Sequence, residues 1–83
     1  MTHLRIRYFA SIREALGPGE TLSTAAATLG ALRDELIARG GAHAQALGRE
    51  RPLRMALDQV MCDEATVLRP GAEVAFFPPV TGG

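Results

Sequence analysis

A chain of 83 residues, 47% hydrophobic and 22% charged, makes one small globular domain, too apolar for a disordered chain and too small to enclose a deep active site. Acidic and basic residues balance at nine each, so the composition lacks the cationic surplus that a nucleic-acid or anionic-membrane partner needs. The lone cysteine, Cys62, rules out an internal disulfide and suits a reducing, cytoplasmic setting, and the sequence holds neither a usual signal peptide nor the roughly 18 consecutive apolar residues of a membrane span.

Leu4, Ile6 and Tyr8 alternate with Arg5 and Arg7, which predicts a first strand with one buried face. Phe9 falls on the arginine side of that alternation and is expected to point away from the core. Ser11 can cap a short helix, Ile12 to Leu16, stopped by Gly17-Pro18-Gly19. Glu20 to Thr24 reads as a second strand, forming a hairpin with the first across a wide turn. Leu29, Leu32, Leu36 and Ile37 make the apolar stripe of the main helix, with Thr28 as N-cap and Gly40-Gly41 as stop. Arg33, Asp34 and Glu35 are expected to face water.

Ala42 to Leu47 can add a helical turn, and Gly48 to Pro52 reads as an exposed loop. Met55 and Leu57 alternate with Ala56 and Asp58 in a third strand. It pairs with Val60 to Cys62 across a tight turn at Asp58-Gln59. Asp63 to Val67 is read as a short turn or a single helical turn, and Pro70-Gly71 is a turn signal. Glu73 to Phe77 is the last strand, with Val74 and Phe76 on one face and Ala75 and Phe77 on the other. The predicted architecture is α+β: a mixed five-stranded sheet with one main helix on one face, the element order of a β-grasp, or ubiquitin-like, fold. Residues 1–77 form the domain and residues 78–83 an extended tail.

That tail reads Pro78-Pro79-Val80-Thr81-Gly82-Gly83. Two prolines end the sheet and favour an extended backbone. Six extended residues reach at most about 20 Å, and two glycines strip the tip of side chains. This suits a carboxylate threaded into another protein's narrow site. An ionised carboxylate is a poor electrophile, so it accepts sulfur only after activation, as in an acyl-adenylate made from ATP. No phosphate-binding loop or dinucleotide fingerprint occurs in the sequence, so the activating chemistry is expected from a partner. All nine basic residues are arginine. A composition bias explains that, and a chain with an activated C-terminus also gains by lacking an amine to attack it.

The stretch Gly71-Ala72-Glu73-Val74-Ala75-Phe76-Phe77-Pro78-Pro79-Val80-Thr81-Gly82-Gly83 resembles the ending of the small, sulfur-carrying subunits of molybdopterin synthases. Arg7-Tyr8-Phe9-Ala10 with Ile12-Arg13-Glu14, and Thr28-Leu29-Gly30-Ala31-Leu32, are similar to that family as well. Ala72 and Asp58 depart from the family's usual Asp and Asn, both in turns. The resemblance implies that an E1-like adenylyltransferase activates Gly83 with ATP and that a sulfur donor converts it to a thiocarboxylate. The tail then enters the synthase large subunit and passes sulfur to cyclic pyranopterin monophosphate. It further implies a heterotetramer whose catalytic side chains belong to the large subunit, while this chain is a non-catalytic carrier that binds no cofactor or metal. Pro78, Pro79, Val80, Thr81 and Gly82 would thread the tail. A carrier for another pathway, such as thiamine thiazole, or a ubiquitin-like protein modifier are the alternatives.

Phe9 and Phe77 are predicted on the sheet face opposite the helix, with Met61 joining them and Arg5 and Arg7 as a polar rim: a partner interface. His3 and His43 are isolated surface residues, and Cys62 is read as packing rather than as a nucleophile.

Overall fold

The period-two pattern at the start of the chain becomes a strand buried on one side. In the computed structural model, which describes residues 1–79, β1 (Thr2–Tyr8) buries Leu4, Ile6 and Tyr8 and exposes His3, Arg5 and Arg7. β1 pairs antiparallel with β2 (Gly19–Thr24) and parallel with β5 (Glu73–Phe77). β3 (Arg54–Leu57) pairs antiparallel with both β5 and β4 (Val60–Cys62). The order β2-β1-β5-β3-β4 is the expected mixed β-grasp sheet, with β5 in its centre. Asp58 and Gln59 turn β3 into β4 with φ of 49° and 69°, as a tight two-residue hairpin of the primed type requires.

A parallel pair needs a crossover, and the chain between β1 and β5 supplies the helical layer. α1 (Ala10–Leu16), α2 (Leu29–Ile37) and α3 (Gly41–Leu47) share one core with the sheet. Leu29, Leu32 and Leu36 of α2 are fully buried there beside Ile12, Leu47, Met55, Val74 and Phe76. Thr28 caps α2 as predicted, its hydroxyl accepting from the Ala31 amide at 3.2 Å. The Leu29 and Gly30 amides donate to the carbonyls of Thr66 and Glu64 at 3.0 and 2.9 Å, so the segment after β4 satisfies the helix end. Gly30 permits that approach: a Cβ there would stand 2.9 Å from Glu64 Oε1 and 3.2 Å from its carbonyl oxygen.

Four local expectations change. Ser11 caps nothing: α1 begins at Ala10, whose φ of 52° turns the chain, and the Phe9 carbonyl accepts from the Ile12 and Arg13 amides. Gly40 and Gly41 do not simply stop a helix; with φ of 74° and 55° they turn α2 into α3, which takes up the predicted turn at 42–47. The exposed loop expected after α3 is present over residues 49–52 but begins one residue later than expected, because Gly48 is buried.

Arg33, expected to face water, is only 5% exposed. Its guanidinium donates to the carbonyls of Leu47 and Gly48 at 2.8 Å and of Arg51 at 3.2 Å, and it pairs with Glu64 at 3.3 Å. α3 and the segment after it cover this side of α2. The arginine goes inside because carbonyls at the end of α3 and just after it need donors; among them only Gly48 also accepts from a backbone amide, that of Arg51 at 3.0 Å. Burial lowers the Arg33 pKa, and the Glu64 charge works against that shift.

Candidate docking face and tail root

The outer face of the sheet carries Arg5 and Arg7 from β1, Glu73, Ala75 and Phe77 from β5, Arg54 and Ala56 from β3, and Met61 from β4. The registers place them. Tyr8 sits beside Phe76 on the buried face, so one residue further on both Phe9 and Phe77 turn outward. The Phe9 amide extends the ladder by donating to the Phe76 carbonyl at 3.2 Å.

The two rings meet edge to face, with centroids 6.5 Å apart and planes at 85°. The Arg7 guanidinium lies over the Phe9 ring, 5.3 Å from its centroid, and reaches Glu73 at 4.0 Å. Phe9 remains 36% exposed, while Phe77 is half-buried.

Met61 is 57% exposed on the same face but does not join the aromatic pair. It stands two strands away from β5, opposite Ala56, at about 10 Å by ordinary strand spacing. Ala75 and Ala56 lie between and form a low floor. Arg54 was not singled out from the sequence. Its register places it directly across from Phe77, so arginines flank the aromatic pair on both sides. The alternation of Arg54 with buried Met55 was the available signal.

Pro78 and Pro79 follow Phe77 immediately and are half-buried. The chain therefore leaves the sheet from its central strand, beside the aromatic pair. The other predicted tail residues, Val80, Thr81, Gly82 and Gly83, lie outside the described residues.

The helix side is a different chemical setting. The Tyr8 hydroxyl, buried, donates to Glu20 at 3.3 Å, and burial followed by the Glu20 charge pushes its pKa up. Glu20 also accepts from Arg39 at 2.9 Å and lies 3.7 Å from His43. On the outer face, by contrast, His3 Nδ1 contacts the Ser23 hydroxyl at 2.6 Å. Cys62 packs against the core with its sulfur 4.0 Å from the Met55 carbonyl oxygen. Among the described residues no cluster of three metal-ligating side chains occurs. No helix there is long and apolar enough to cross a membrane. What this arrangement can do is present a face and deliver a strand end.

The model of the ThiS family matches residues 6–83 of the chain. The molybdopterin synthase sulfur carrier subunit of Haemophilus influenzae is 37% identical over 81 residues, covering 96% of this chain and 99% of that protein. A solved complex of subunits 1 and 2 of the molybdopterin-converting factor from Helicobacter pylori contains a similar chain, 26% identical with a TM-score of 0.71, covering 99% of this chain and all of that one. Small archaeal modifier protein 1 of Haloferax volcanii shares the fold with a TM-score of 0.76 at 22% identity, over 96% of this chain and all of that one.

Proposed function

This chain belongs to the ThiS family, and from that premise we propose that it is a sulfur carrier for molybdopterin synthesis, charged at Gly83. An E1-like partner adenylates the terminal carboxylate with ATP, and a sulfur donor replaces AMP to give a thiocarboxylate. The charged tail enters the large subunit of the synthase and donates sulfur to cyclic pyranopterin monophosphate in the cytoplasm, within a heterotetramer. This chain needs no cofactor of its own for that work; the catalytic side chains belong to the large subunit.

The observation that carries this reading is the route of the chain. The central strand β5 runs past an exposed aromatic pair and into Pro78-Pro79. A partner that grips Phe9, Phe77 and Met61 receives the tail at a fixed place and direction. Glycines at 82 and 83 then let the backbone pass where a Cβ would clash. The near full-length relationship to a sulfur carrier subunit supports the choice of cargo.

Intact-mass measurement after incubation with the activating enzyme, ATP and a sulfur source tests the first step. The expected product is heavier by the replacement of one oxygen with sulfur; an unchanged mass, where a control carrier is charged, refutes it. Addition of large subunit and pterin precursor tests the second. A charged carrier that yields no dithiolene would point instead to another sulfur pathway, and Gly83-dependent protein conjugates in extract would point to a modifier.

A further inference from the structure

We infer, resting on the proposed docking of the outer face, that Glu73 and Arg7 are positioning residues for the aromatic pair. They hold the Phe9 ring against Phe77 in the free chain, so that a partner meets rings already set.

Glu73, Arg7, Phe9 and Phe77 form one row of contacts across β1 and β5. The parallel register sets Arg5 beside Glu73 and Arg7 beside Ala75. Arg7 is thus diagonal to Glu73 on the neighbouring strand, within reach of a long side chain. Its guanidinium comes to 4.0 Å from the Glu73 carboxylate and lies 5.3 Å from the centre of the Phe9 ring. The Phe9 ring in turn meets Phe77 at 6.5 Å, with the planes at 85°. Ala75, opposite Arg7, adds only a methyl group and leaves the guanidinium room.

The row restrains what the fold leaves open. The Phe9 backbone is already fixed: its amide donates to the Phe76 carbonyl, and its carbonyl accepts from the Ile12 and Arg13 amides. The ring is not fixed by core packing, because Phe9 is 36% exposed. Rotation about χ1 and χ2 remains, and contacts on the ring are what can limit it. A guanidinium favours the face of a ring, and two aromatic rings favour an edge against a face. Glu73 anchors the row, since its side chain is 19% exposed against 52% for Arg7. The freer arginine is tethered to the more enclosed carboxylate. An exposed ion pair adds little to the stability of a fold. Here its effect falls on the ring, and a partner that finds the ring set gives up less rotamer freedom on binding. Affinity should therefore respond to this row while melting temperature does not.

The first test uses the free chain. NMR side-chain couplings give the Phe9 χ1 populations, and ring-current shifts report its contact with Phe77. Wild type should show one dominant rotamer. Arg7→Gln should average between rotamers and lose the ring-current shift at an unchanged melting temperature, and Glu73→Gln should do so to a smaller extent. Arg5→Gln, which changes the same charge on the same face outside the row, should match wild type. The second test adds the large subunit. Affinity should fall about threefold in Arg7→Gln and about twofold in Glu73→Gln. Because Glu73 acts on Phe9 through Arg7, a double-mutant cycle of Glu73→Gln with Phe9→Leu should show coupling in binding that vanishes in an Arg7→Gln background. Freely averaging Phe9 rotamers in wild type, equal populations in wild type and Arg7→Gln, or coupling that survives removal of Arg7 would each overturn the inference. The NMR arm needs no partner, so a chain that holds Phe9 in place yet fails to bind the large subunit counts against the sulfur-carrier reading instead.

Discussion

Arg33 and Arg54 are the same residue in two opposite circumstances. Arg33, on α2, is enclosed; it gives hydrogen bonds to three carbonyls and pairs with Glu64. Arg49 reinforces that side by bonding to Glu64, Asp34 and the Gly30 carbonyl, and the two carboxylates raise its pKa. Arg54 is exposed on the outer face beside Phe77. One arginine holds α2, α3 and two loops together. The other is displayed at the place where the tail leaves. The helix side of the sheet is thus where polar groups are consumed by the fold, and the outer face is where they are left for a partner.

The largest effect should come from breaking the lock. Arg33→Ala removes the side-chain donor from the carbonyls of Leu47, Gly48 and Arg51 and leaves Glu64 with Arg49 alone, at an expected cost of about 3 kcal/mol. Chemical denaturation measures it. A loss no greater than that of a surface substitution would erase the contrast between the two faces.

Next is Phe77→Ala, which should weaken binding to the large subunit by about 2 kcal/mol, as a buried aromatic anchor does. Calorimetric titration and a melting curve together decide the matter. If stability falls and affinity does not, Phe77 belongs to the core and the outer face is not the docking face.

Tyr8 and Phe9 are neighbours that face opposite ways, and pH separates them. The Tyr8 pKa is raised in the folded state by burial and by Glu20. Below the unfolded value, about 10, both states are protonated and the stability is fully present. Above it the unfolded chain releases the proton first, so stability falls as pH rises. Between pH 10 and 11 wild type should lose about 1 kcal/mol more than Tyr8→Phe. Parallel curves for the two proteins would show that Tyr8 is not shielded as described.

The smallest expected change is Arg54→Ala, within about 0.5 kcal/mol of wild type in stability. A larger loss would mean that the display face is also structural.

Local patterns carried most of the fold. Five strands follow from alternation and from glycine and proline punctuation, and α2 follows from its leucine stripe and Thr28. The parity of β1 and β5 also brought Phe9 and Phe77 to one face. Met61 was placed on the right face but too near the rings, because a pattern of alternation says which side a residue faces and nothing about how many strands intervene. Arg54 escaped notice for the same reason: its adjacency to Phe77 is a matter of pairing between segments more than 20 residues apart.

What the chain order of residues settled was therefore everything governed by near neighbours: which face each strand residue takes, where helices begin, and the composition of the ending, Pro-Pro to Gly-Gly. What only the folded molecule settled was the company each residue keeps. Arg33 reads as a surface charge until α3 and the following segment fold over it and offer their carbonyls. Ala10 reads as an ordinary helical residue until the chain must reverse beside Phe9. Both depend on segments brought together across the sequence, and burial, unlike periodicity, is a property of the packed whole.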